Sequence, residues 1–541
     1  MRILAFSSVL FAASAASSSI EASVFTRDFA AALARTFPRS TPAPLDCETC
    51  ETVVSVAQTL AENATSVSEL IALVQGACSI IELPIFQTLC DALIAGIADV
   101  GVAALQFLDK EIQTIAWDIP LNFCATIVGV CTIDCCETQT APEQLRLAPG
   151  SDAASLSITW TTLNSTAAPM VQWGATGGPL SSSAPASMRG APWGGWQGTI
   201  YSATMSSLAP GSAYSYRVGD DAGGWSAVAN FSTLPANAGT PARPLVFANI
   251  GDMGWGPKSN DTIAALSALI DAGAIDFVVH QGDVSYADGA EQNWDVFGRK
   301  IEKISSRCPY IVVPGNHEQV WWGGADFRAR WTLPAPVING SVVPVDARGN
   351  RTFFAFSAGG VHFTMFDTES PLDVGDVPAE EVAWLQNDVD SARAAAPNGW
   401  IIAAAHRPLY CTNGNWNTSD KDCAVFAATL RTQVEPALLK AAVDFVFTAH
   451  MHGFERSQPV AHMKPTPGAP IHIVNGAGGN RESNDDPHGD APWSVPGAHF
   501  ADIGYGIVES VVSETTGASW LAYSFIRSAD GKVLDFVNVT K

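Results

Sequence analysis

Leu245-Val246-Phe247-Ala248-Asn249-Ile250-Gly251-Asp252-Met253-Gly254 decides the fold: an apolar run of strand length that stops at a glycine and a carboxylate. Four later stretches repeat the arrangement. Phe277 to Gln281 ends in Gly282, Asp283, Val284, Ser285 and Tyr286, and Tyr310 to Pro314 leads into Gly315, Asn316, His317 and Glu318. Trp400 to Ala405 ends at His406, and Phe445 to Thr448 ends at Ala449, His450, Met451 and His452. Helical segments lie between these runs, so from Pro244 onward the pattern is that of an α/β domain. In open α/β sheets ligands bind off the carboxyl ends of the strands, so the five endings are predicted to converge on one cleft.

The residue types say what that cleft holds. Asp, Asn, His and Tyr offer oxygen and nitrogen to hard or borderline metals, and no cysteine is among them. Asp252, Asp283 and a deprotonated Tyr286 together balance two polyvalent cations where one Asp does not. A carboxylate such as Asp283 can bridge ions about 3.5–4 Å apart, the spacing of two-metal phosphatase sites. His450 and His452, two residues apart, diverge from a strand end, so each can serve a different ion. A single GD or GNH is common, and a histidine in a strand usually packs. Seven donors in this order and context are hard to explain as packing. His280 and His362 sit inside apolar runs and are expected to pack or to support the site, while His462, His472, His488 and His499 carry no assigned role.

The ordered set DxG, GDxxY, GNH followed by an acid, a strand-terminal His and GHxH strongly resembles the purple acid phosphatases within the calcineurin-like metallophosphoesterases. The resemblance spans roughly 141–541 and includes Phe454, Glu455, Arg456 and Gly476 to Asn480. It implies a four-layer α/β metallophosphoesterase sandwich over 243–541. It also implies that Asp252, Tyr286 and His452 bind the first metal, that Asp283 bridges, and that Asn316, His406 and His450 bind the second. His317 would then face substrate. Many relatives have His where this chain has Gly254, and the donor here comes from Tyr286 instead. A phenolate favours a trivalent ion, so the first site is expected to hold Fe(III), and the second Zn, Mn or Fe(II). The implied reaction is hydrolysis of phosphate monoesters at acidic pH by in-line attack of activated water, with His317 stabilising equatorial oxygens or protonating the leaving group. Two departures stand out. Ala449 replaces the Gly of GHxH, which bears on packing. The histidines that plant-type relatives carry after the His406 position are absent from Arg407 to Asp422, leaving Trp321, Trp322, Tyr410 and Trp416 as unranked candidates for the rim.

Upstream, Pro142 to Leu147, Ser155 to Thr161, Met170 to Trp173, Thr199 to Met205, Ala213 to Val218 and Ala227 to Ser232 read as short strands separated by turn residues. Such spacing predicts a β sandwich over 141–238, without a titratable cluster and so without catalysis. Pro142 to Leu145, Leu208 to Gly211 and Tyr214 to Gly219 make it similar to the fibronectin III-like domain that precedes the catalytic domain in plant-type purple acid phosphatases.

The N-terminus reads as a signal peptide over 1–16: Met1 and Arg2, an apolar stretch from Ile3 to Ala13, then small residues around Ala13, Ala15 and Ala16. Residues 17–45 are expected to be a linker or pro-segment. Over 46–136, Cys47, Cys50, Cys78, Cys90, Cys124 and Cys131 are set among apolar segments of helical periodicity such as Val53 to Leu60, Val67 to Val74 and Ile94 to Leu108. Spacing alone leaves fifteen connectivities open for six cysteines. The pattern resembles a saposin B-type domain, which implies bridges Cys47–Cys131, Cys50–Cys124 and Cys78–Cys90; a zinc site fits an oxidising compartment less well. Lipid contact favoured at low pH and a packing or pro-segment role both stay open. Of the other five cysteines, Cys411 and Cys423 flank a polar loop and favour a local bridge; Cys135, Cys136 and Cys308 carry no assignment. Eight sequons, at Asn63, Asn164, Asn230, Asn260, Asn339, Asn350, Asn417 and Asn538, fall mostly in stretches read as surface turns and suit a glycosylated protein.

The chain has 541 residues, enough for three or four folded units. Against 53 acids stand 29 Lys and Arg, and 29 − 53 = −24, so nucleic acid is disfavoured as a partner. Charged residues are 15% and apolar ones 47%, enough for a sizeable core and unlike a disordered chain. No apolar run beyond the N-terminus reaches membrane-spanning length, and Asn538 to Lys541 is too polar for a GPI signal. A secreted, extracellular or acidic vacuolar eukaryotic setting follows. Two other functions stay open: a lipid phosphodiesterase resembling acid sphingomyelinase in its saposin-plus-phosphoesterase architecture, and a saposin-like lipid-binding protein with an inert phosphatase domain. Oligomeric state is not legible.

Overall fold

The computed structural model describes residues 131–137, 141–190, 195–319, 324–334, 337–338, 341–342, 352–369, 377–482, 484–512 and 519–541, with Cys47, Glu51, Ser55 and Ala125. Compact packing divides the chain after Ile133. In the first unit a disulfide joins Cys47 to Cys131. The expected signal peptide, linker, apolar helical segments, bridges Cys50–Cys124 and Cys78–Cys90, and sequons Asn63, Asn339 and Asn350 lie outside the described residues.

The second unit, Asp134–Lys541, begins with a β sandwich. One sheet takes the order Glu143–Pro149, Leu156–Thr162, Thr199–Met205, Ser187–Met188, and the other runs Gly224–Trp225, Ala213–Asp220, Met170–Ala175, Ser182–Pro185, with Ala229–Ser232 on Ala213–Asp220. Alternation works as expected: Ile158, Trp160, Val171, Trp173, Tyr201 and Tyr216 point inward into one core. Ser182–Pro185 and Ser187–Met188 were not legible as strands because they are short, small and polar.

The α/β part is two sheets face to face. The first has the order Tyr310–Val313, Phe277–Gln281, Leu245–Ile250, Gly504–Val512, Ser519–Arg527, Val533–Thr540; its first three strands are parallel. In the second, Val361–Met365, Trp400–Ala404, Phe445–Thr448 and Ile471–Asn475 are parallel neighbours. Phe247 and Phe363 meet edge to face across the two sheets, ring centres 5.1 Å apart. Side chains of the central strands alternate between two cores: Trp400, Ile402 and Ala404 face the opposite sheet, while Ile401 and Ala403 face Trp384, Leu385 and Val389 of helix Ala379–Ala395. Helices Asn260–Asp271 and Glu291–Ser305 contribute Ile263, Leu266, Trp294 and Phe297 to the first core. Strands buried on both faces read as continuous apolar runs, which is why the five strand endings were visible in sequence.

The sandwich is joined to the α/β part by charge. A register shift between Glu143 and Arg146 bulges the strand at Gln144, whose φ is +60°, and turns its side chain toward helix Glu291–Ser305. There Arg330, about 1% exposed, lies 2.9 Å from Glu291 Oε2 and 2.9 Å from Asp295 Oδ1. Gln144 Nε2 and Trp196 Nε1 donate to Asp295 at 3.0 and 2.7 Å. Tyr216 OH donates to Ser306 O at 2.7 Å. Nearby, Cys135 and Cys136 are bonded to each other, Cys135 N donates to Gln197 O at 2.9 Å, and Cys308 is a buried free thiol.

Five described sequons, Asn164, Asn230, Asn260, Asn417 and Asn538, are exposed. The expectation of surface turns is corrected for three of them. Asn230 and Asn538 lie in strands, and Asn260 opens a helix. Exposure at a sheet edge or a helix start needs no turn residue. Among the described residues no helix is long and apolar enough to cross a membrane.

Candidate metal centre

All five strand endings meet at one place. Two sets of donor atoms, each within 4.8 Å of one another, share a carboxylate: Asp252, Asp283 and His452 form one, and Asp283, His406 and His450 the other. Tyr286 OH completes the first, 3.0 Å from both Asp252 Oδ1 and His452 Nε2. Asn316 Oδ1 completes the second, 3.1 Å from His406 Nε2, which is itself 3.3 Å from Asp283 Oδ2. The seven residues singled out from sequence are thus brought together in two groups of four sharing Asp283. Asp252, Asp283, Tyr286 and His450 all have positive φ, between 48° and 69°, in the left-handed region that non-glycine residues avoid. Such strain concentrates at sites where side chains must be aimed rather than relaxed.

Two sequence departures find packing explanations. A Cβ on Gly254, whose φ is +66°, would meet Tyr286 Cδ2 at 3.0 Å, so the phenol ring occupies the room a side chain at 254 would need. A Cβ on Gly251 would lie 2.3 Å from the Ala449 methyl. The methyl of Ala449 therefore takes space left free by Gly251.

Burial and mutual charge set the protonation of these groups in the ion-free protein. Burial depresses the His406 imidazole, but Asp283 outweighs it and holds the ring protonated up to about 10. His452 is likewise lowered by burial and raised further by Asp252, to about 9. Asp283 is raised by burial and pulled well below the usual carboxylate range by His406 and His317. The Tyr286 phenol is pushed well above 10 by burial and by Asp252, so only a cation of high charge density makes it a phenolate here. Hard oxygen donors, three imidazoles and two buried carboxylates fit a pair of cations, which would displace the protons held by His406 and His452.

Supporting contacts fix the rings. His406 Nδ1 is 2.8 Å from Gln281 O, leaving Nε2 for the site. His450 Nε2 is 3.0 Å from Asp422 Oδ1, and His452 N donates to Asp485 Oδ2 at 2.7 Å. Glu318 accepts from Gly315 N at 2.9 Å and Val284 N at 3.0 Å, tying two strand endings together. His317 is in neither donor set: its Nε2 stands 3.9 Å from Asp283 Oδ2 and 3.6 Å from Glu482 Oε1, and its ring centre lies 4.3 Å from that of Tyr286. Its Nδ1 is 2.6 Å from Asp288 Oδ1, and Arg481 pairs with the other Asp288 oxygen. Burial lowers the His317 pKa, but Asp288 and Asp283 raise it well above the ordinary value.

Asp288, Asp422, Arg481, Glu482 and Asp485 were missed in sequence. They come from loops without periodicity, and only the closeness of Asp422 to Cys423 hinted at one of them. His280 is buried and in neither donor set, with Nδ1 2.9 Å from Tyr310 OH, and burial lowers it to about 3. His362 pairs with Asp388 at 2.8 Å. Among the rim candidates, the indole of Trp416 donates to Asp490 at 2.7 Å, Tyr410 is buried with its hydroxyl on Glu435, and Trp321 and Trp322 lie outside the described residues.

Comparison with known proteins gives three adjoining matches. Residues 142–233 match the purple acid phosphatase N-terminal domain, 245–454 the calcineurin-like phosphoesterases, and 469–536 the iron/zinc purple acid phosphatase-like C-terminal domain. Acid phosphatase type 7 of Mus musculus is 31% identical over 372 residues, 63% of this chain and 78% of the relative. A probable inactive purple acid phosphatase 1 of Arabidopsis thaliana is 30% identical over 454 residues, 75% of this chain and 70% of the relative. The structure of a purple acid phosphatase from yellow lupin (Lupinus luteus) seeds shares the fold, with a TM-score of 0.61 at 24% identity and 74% of each chain covered. With its sandwich, its two facing sheets and its shared-carboxylate donor sets in place, the chain belongs to the purple acid phosphatase family.

Proposed function

We propose that this protein is a metal-dependent acid phosphatase that hydrolyses phosphate monoesters and works in a secretory or extracellular compartment. The observation that carries the reading is the pair of donor sets sharing Asp283, with Tyr286 on one and Asn316 on the other. One family relative is named as probably inactive, so the donor set, rather than family membership, is what argues for activity. Asp252, Tyr286, His452 and Asp283 would hold Fe(III); Asp283, Asn316, His406 and His450 would hold Zn, Mn or Fe(II). When bound, the two ions supply positive charge to the phosphoryl oxygens and acidify water.

The chain's own residues do the rest. His317 Nδ1 is held by Asp288 and, among the described residues, its Nε2 has no carboxylate closer than Glu482 at 3.6 Å, so its proton would be available at Nε2 for the leaving oxygen. As the ester P–O bond breaks, that proton moves to the departing alcohol. The new P–O bond forms from water on the opposite side, and the proton that water gives up passes to solvent. His317 and then Arg481 hold the Asp288 carboxyl below its ordinary value, Arg481 also pins it in place, and Asp288 in turn raises the His317 imidazole. The lipid phosphodiesterase alternative finds no support among the family matches.

The test is to purify the secreted full chain, record its metal content and visible spectrum, and measure hydrolysis of an aryl phosphate and of sphingomyelin at acid pH. Two ions per chain, a tyrosinate-to-Fe(III) colour and aryl phosphate turnover are expected. A fully metal-loaded, colourless protein would remove iron and Tyr286 from the assignment, and sphingomyelin as the preferred substrate would remove the monoesterase reading.

A further inference from the structure

Asp422 stands on a loop that the family motifs do not cover, and its surroundings are unusually determined. The loop is closed by the disulfide Cys411–Cys423, whose bonded partner is the residue next to Asp422, and both cysteines are about 1–2% exposed. Asp420 accepts hydrogen bonds from Asp422 N at 3.0 Å and Cys423 N at 2.7 Å, fixing the backbone at the start of the wide helical turn Lys421–Phe426. Single π-type turns of this sort recur at functional sites. At the other end of the loop, Thr412 N donates to the buried carboxylate of Glu455 at 2.9 Å.

The Asp422 side chain points at a candidate ligand. Its Oδ1 is 3.0 Å from His450 Nε2 and 2.5 Å from Arg407 Nη1, which stands 3.0 Å from the same His450 nitrogen, so the carboxylate and the guanidinium together fix that edge of the ring. Arg407 is anchored in turn by the buried Glu369, with Nε 2.9 Å from Oε2. The other nitrogen of the ring, His450 Nδ1, faces the donor set, 3.1 Å from His406 Nε2. An imidazole whose Nε2–H is taken by a carboxylate has its Nδ1 lone pair free and made more basic for an ion. Beyond Asp252, His452 has Glu482 3.7 Å from its Nε2, and Asp485 accepts from its backbone N–H.

We infer that Asp422 is a positioning residue for the second metal: presented by the loop that Cys411–Cys423 closes, it orients His450 and sets the affinity of that site, leaving the first site to Tyr286, Asp252 and His452. The inference rests on the two-metal reading given above, and the wild-type protein separates the two. If fully loaded wild type binds fewer than two ions, the two-metal reading itself fails.

The experiment titrates the second ion, as Zn(II), into the iron-loaded protein and follows bound zinc by metal analysis and the first site by its visible band. For Asp422→Asn the expected result is a zinc affinity lowered by about 10–100-fold, the usual cost of losing an outer-shell partner, with the visible band unchanged. Cys411→Ala with Cys423→Ala should weaken zinc in the same direction, and Asp422→Glu should recover part of the loss. Wild-type zinc affinity in Asp422→Asn would overturn the inference. So would parallel loss of iron, band and zinc, because the carboxylate would then support the whole centre rather than act through His450. Thermal melting identifies a misfolded cysteine variant, in which case Asp422→Asn alone decides.

Discussion

Two buried clusters of charge in the same unit solve the same problem in opposite ways. At the junction between sandwich and α/β part, Glu291 and Asp295 are buried with a guanidinium of the chain's own: Arg330 lies 2.9 Å from each, and Trp196 and Gln144 occupy further lone pairs. At the metal centre Asp252 and Asp283 are equally buried, yet the groups facing them are a phenol and imidazoles whose charge lasts only while they hold a proton that an ion can displace. A buried carboxylate without a cation is costly. The junction carries its counter-charge in sequence; the centre leaves a place for one brought from outside. The comparison teaches where to look for a bound ion: not where acids are buried, but where buried acids face imidazoles and a phenol, whose protons a cation can replace, instead of a guanidinium that keeps its charge.

The hardest way to break this contrast is at Asp283, the one carboxylate both donor sets share. Asp283→Asn should reduce metal content at both sites and take turnover to background, measured by metal analysis and aryl phosphate assay. Normal metal content in that variant would mean that the shared carboxylate is not a bridge. The next largest effect belongs to His317→Ala, expected to keep both ions and the visible band while turnover falls by about 10²–10⁴-fold, the usual worth of a general acid. Unchanged turnover would remove His317 from the reaction.

At the junction the loss should appear in stability and not in metal content. Arg330→Ala leaves the buried Asp295 and Glu291 carboxyls without their guanidinium, a change that typically costs about 3–5 kcal/mol where a buried charge is left unpaired, read by denaturant unfolding with metal content as the control. The sharper version replaces Arg330, Glu291 and Asp295 together by apolar residues of similar volume. Near-wild-type stability is expected there, since buried ion pairs are often replaceable. No such exchange is expected to be tolerated at Asp252, Asp283 and His406. If the apolar triple variant lost its ions, the two clusters would be coupled and the contrast would fail.

What was legible in sequence divides along the same line. The seven donors were legible because each ends an apolar strand, and chemistry restricts which residue types can stand there. Arg330, Glu291 and Asp295 were not, because a charged residue in a helix is normally exposed, and only the bulge at Gln144 and the packing of Trp196 bury them. The strands Leu245–Ile250, Phe277–Gln281 and Phe445–Thr448 appeared at their observed bounds. Gly504–Val512, Ser519–Arg527 and Val533–Thr540 did not, since their alternation of apolar with polar residues is diluted by small side chains and they carry no motif. Asp288 and Asp422 support the site from loops, where position is set by tertiary contacts such as Arg481 and the Cys411–Cys423 bridge rather than by any period.

The finest distinction is in pH dependence. Burial lifts the Glu291 carboxyl to about 8 from its ordinary 4.5, against the pull of Arg330 and with the push of Asp326. Between those two values the folded protein holds a proton that the unfolded chain has released, so this group's contribution to stability is complete below 4.5 and is lost as pH rises through 8. The junction is therefore expected to be firmer in acid than at neutral pH, the opposite of a carboxylate held down by its partner. Melting temperatures measured from pH 5 to 8 should fall on the alkaline side, and Glu291→Gln should flatten that part of the slope. The change is expected to be a few degrees, because about 1 kcal/mol moves Tm by roughly 2–4 °C in domains of 150–250 residues. The ion-loaded protein is the one to melt, because there the protons that His406 and His452 hold in the ion-free protein are already displaced. Burial also raises Glu318 and Glu455, so the junction's share of the slope is the part that Glu291→Gln removes. A slope that Glu291→Gln leaves unchanged would place the acid preference outside this cluster and make Arg330 the full counter-charge of both carboxylates.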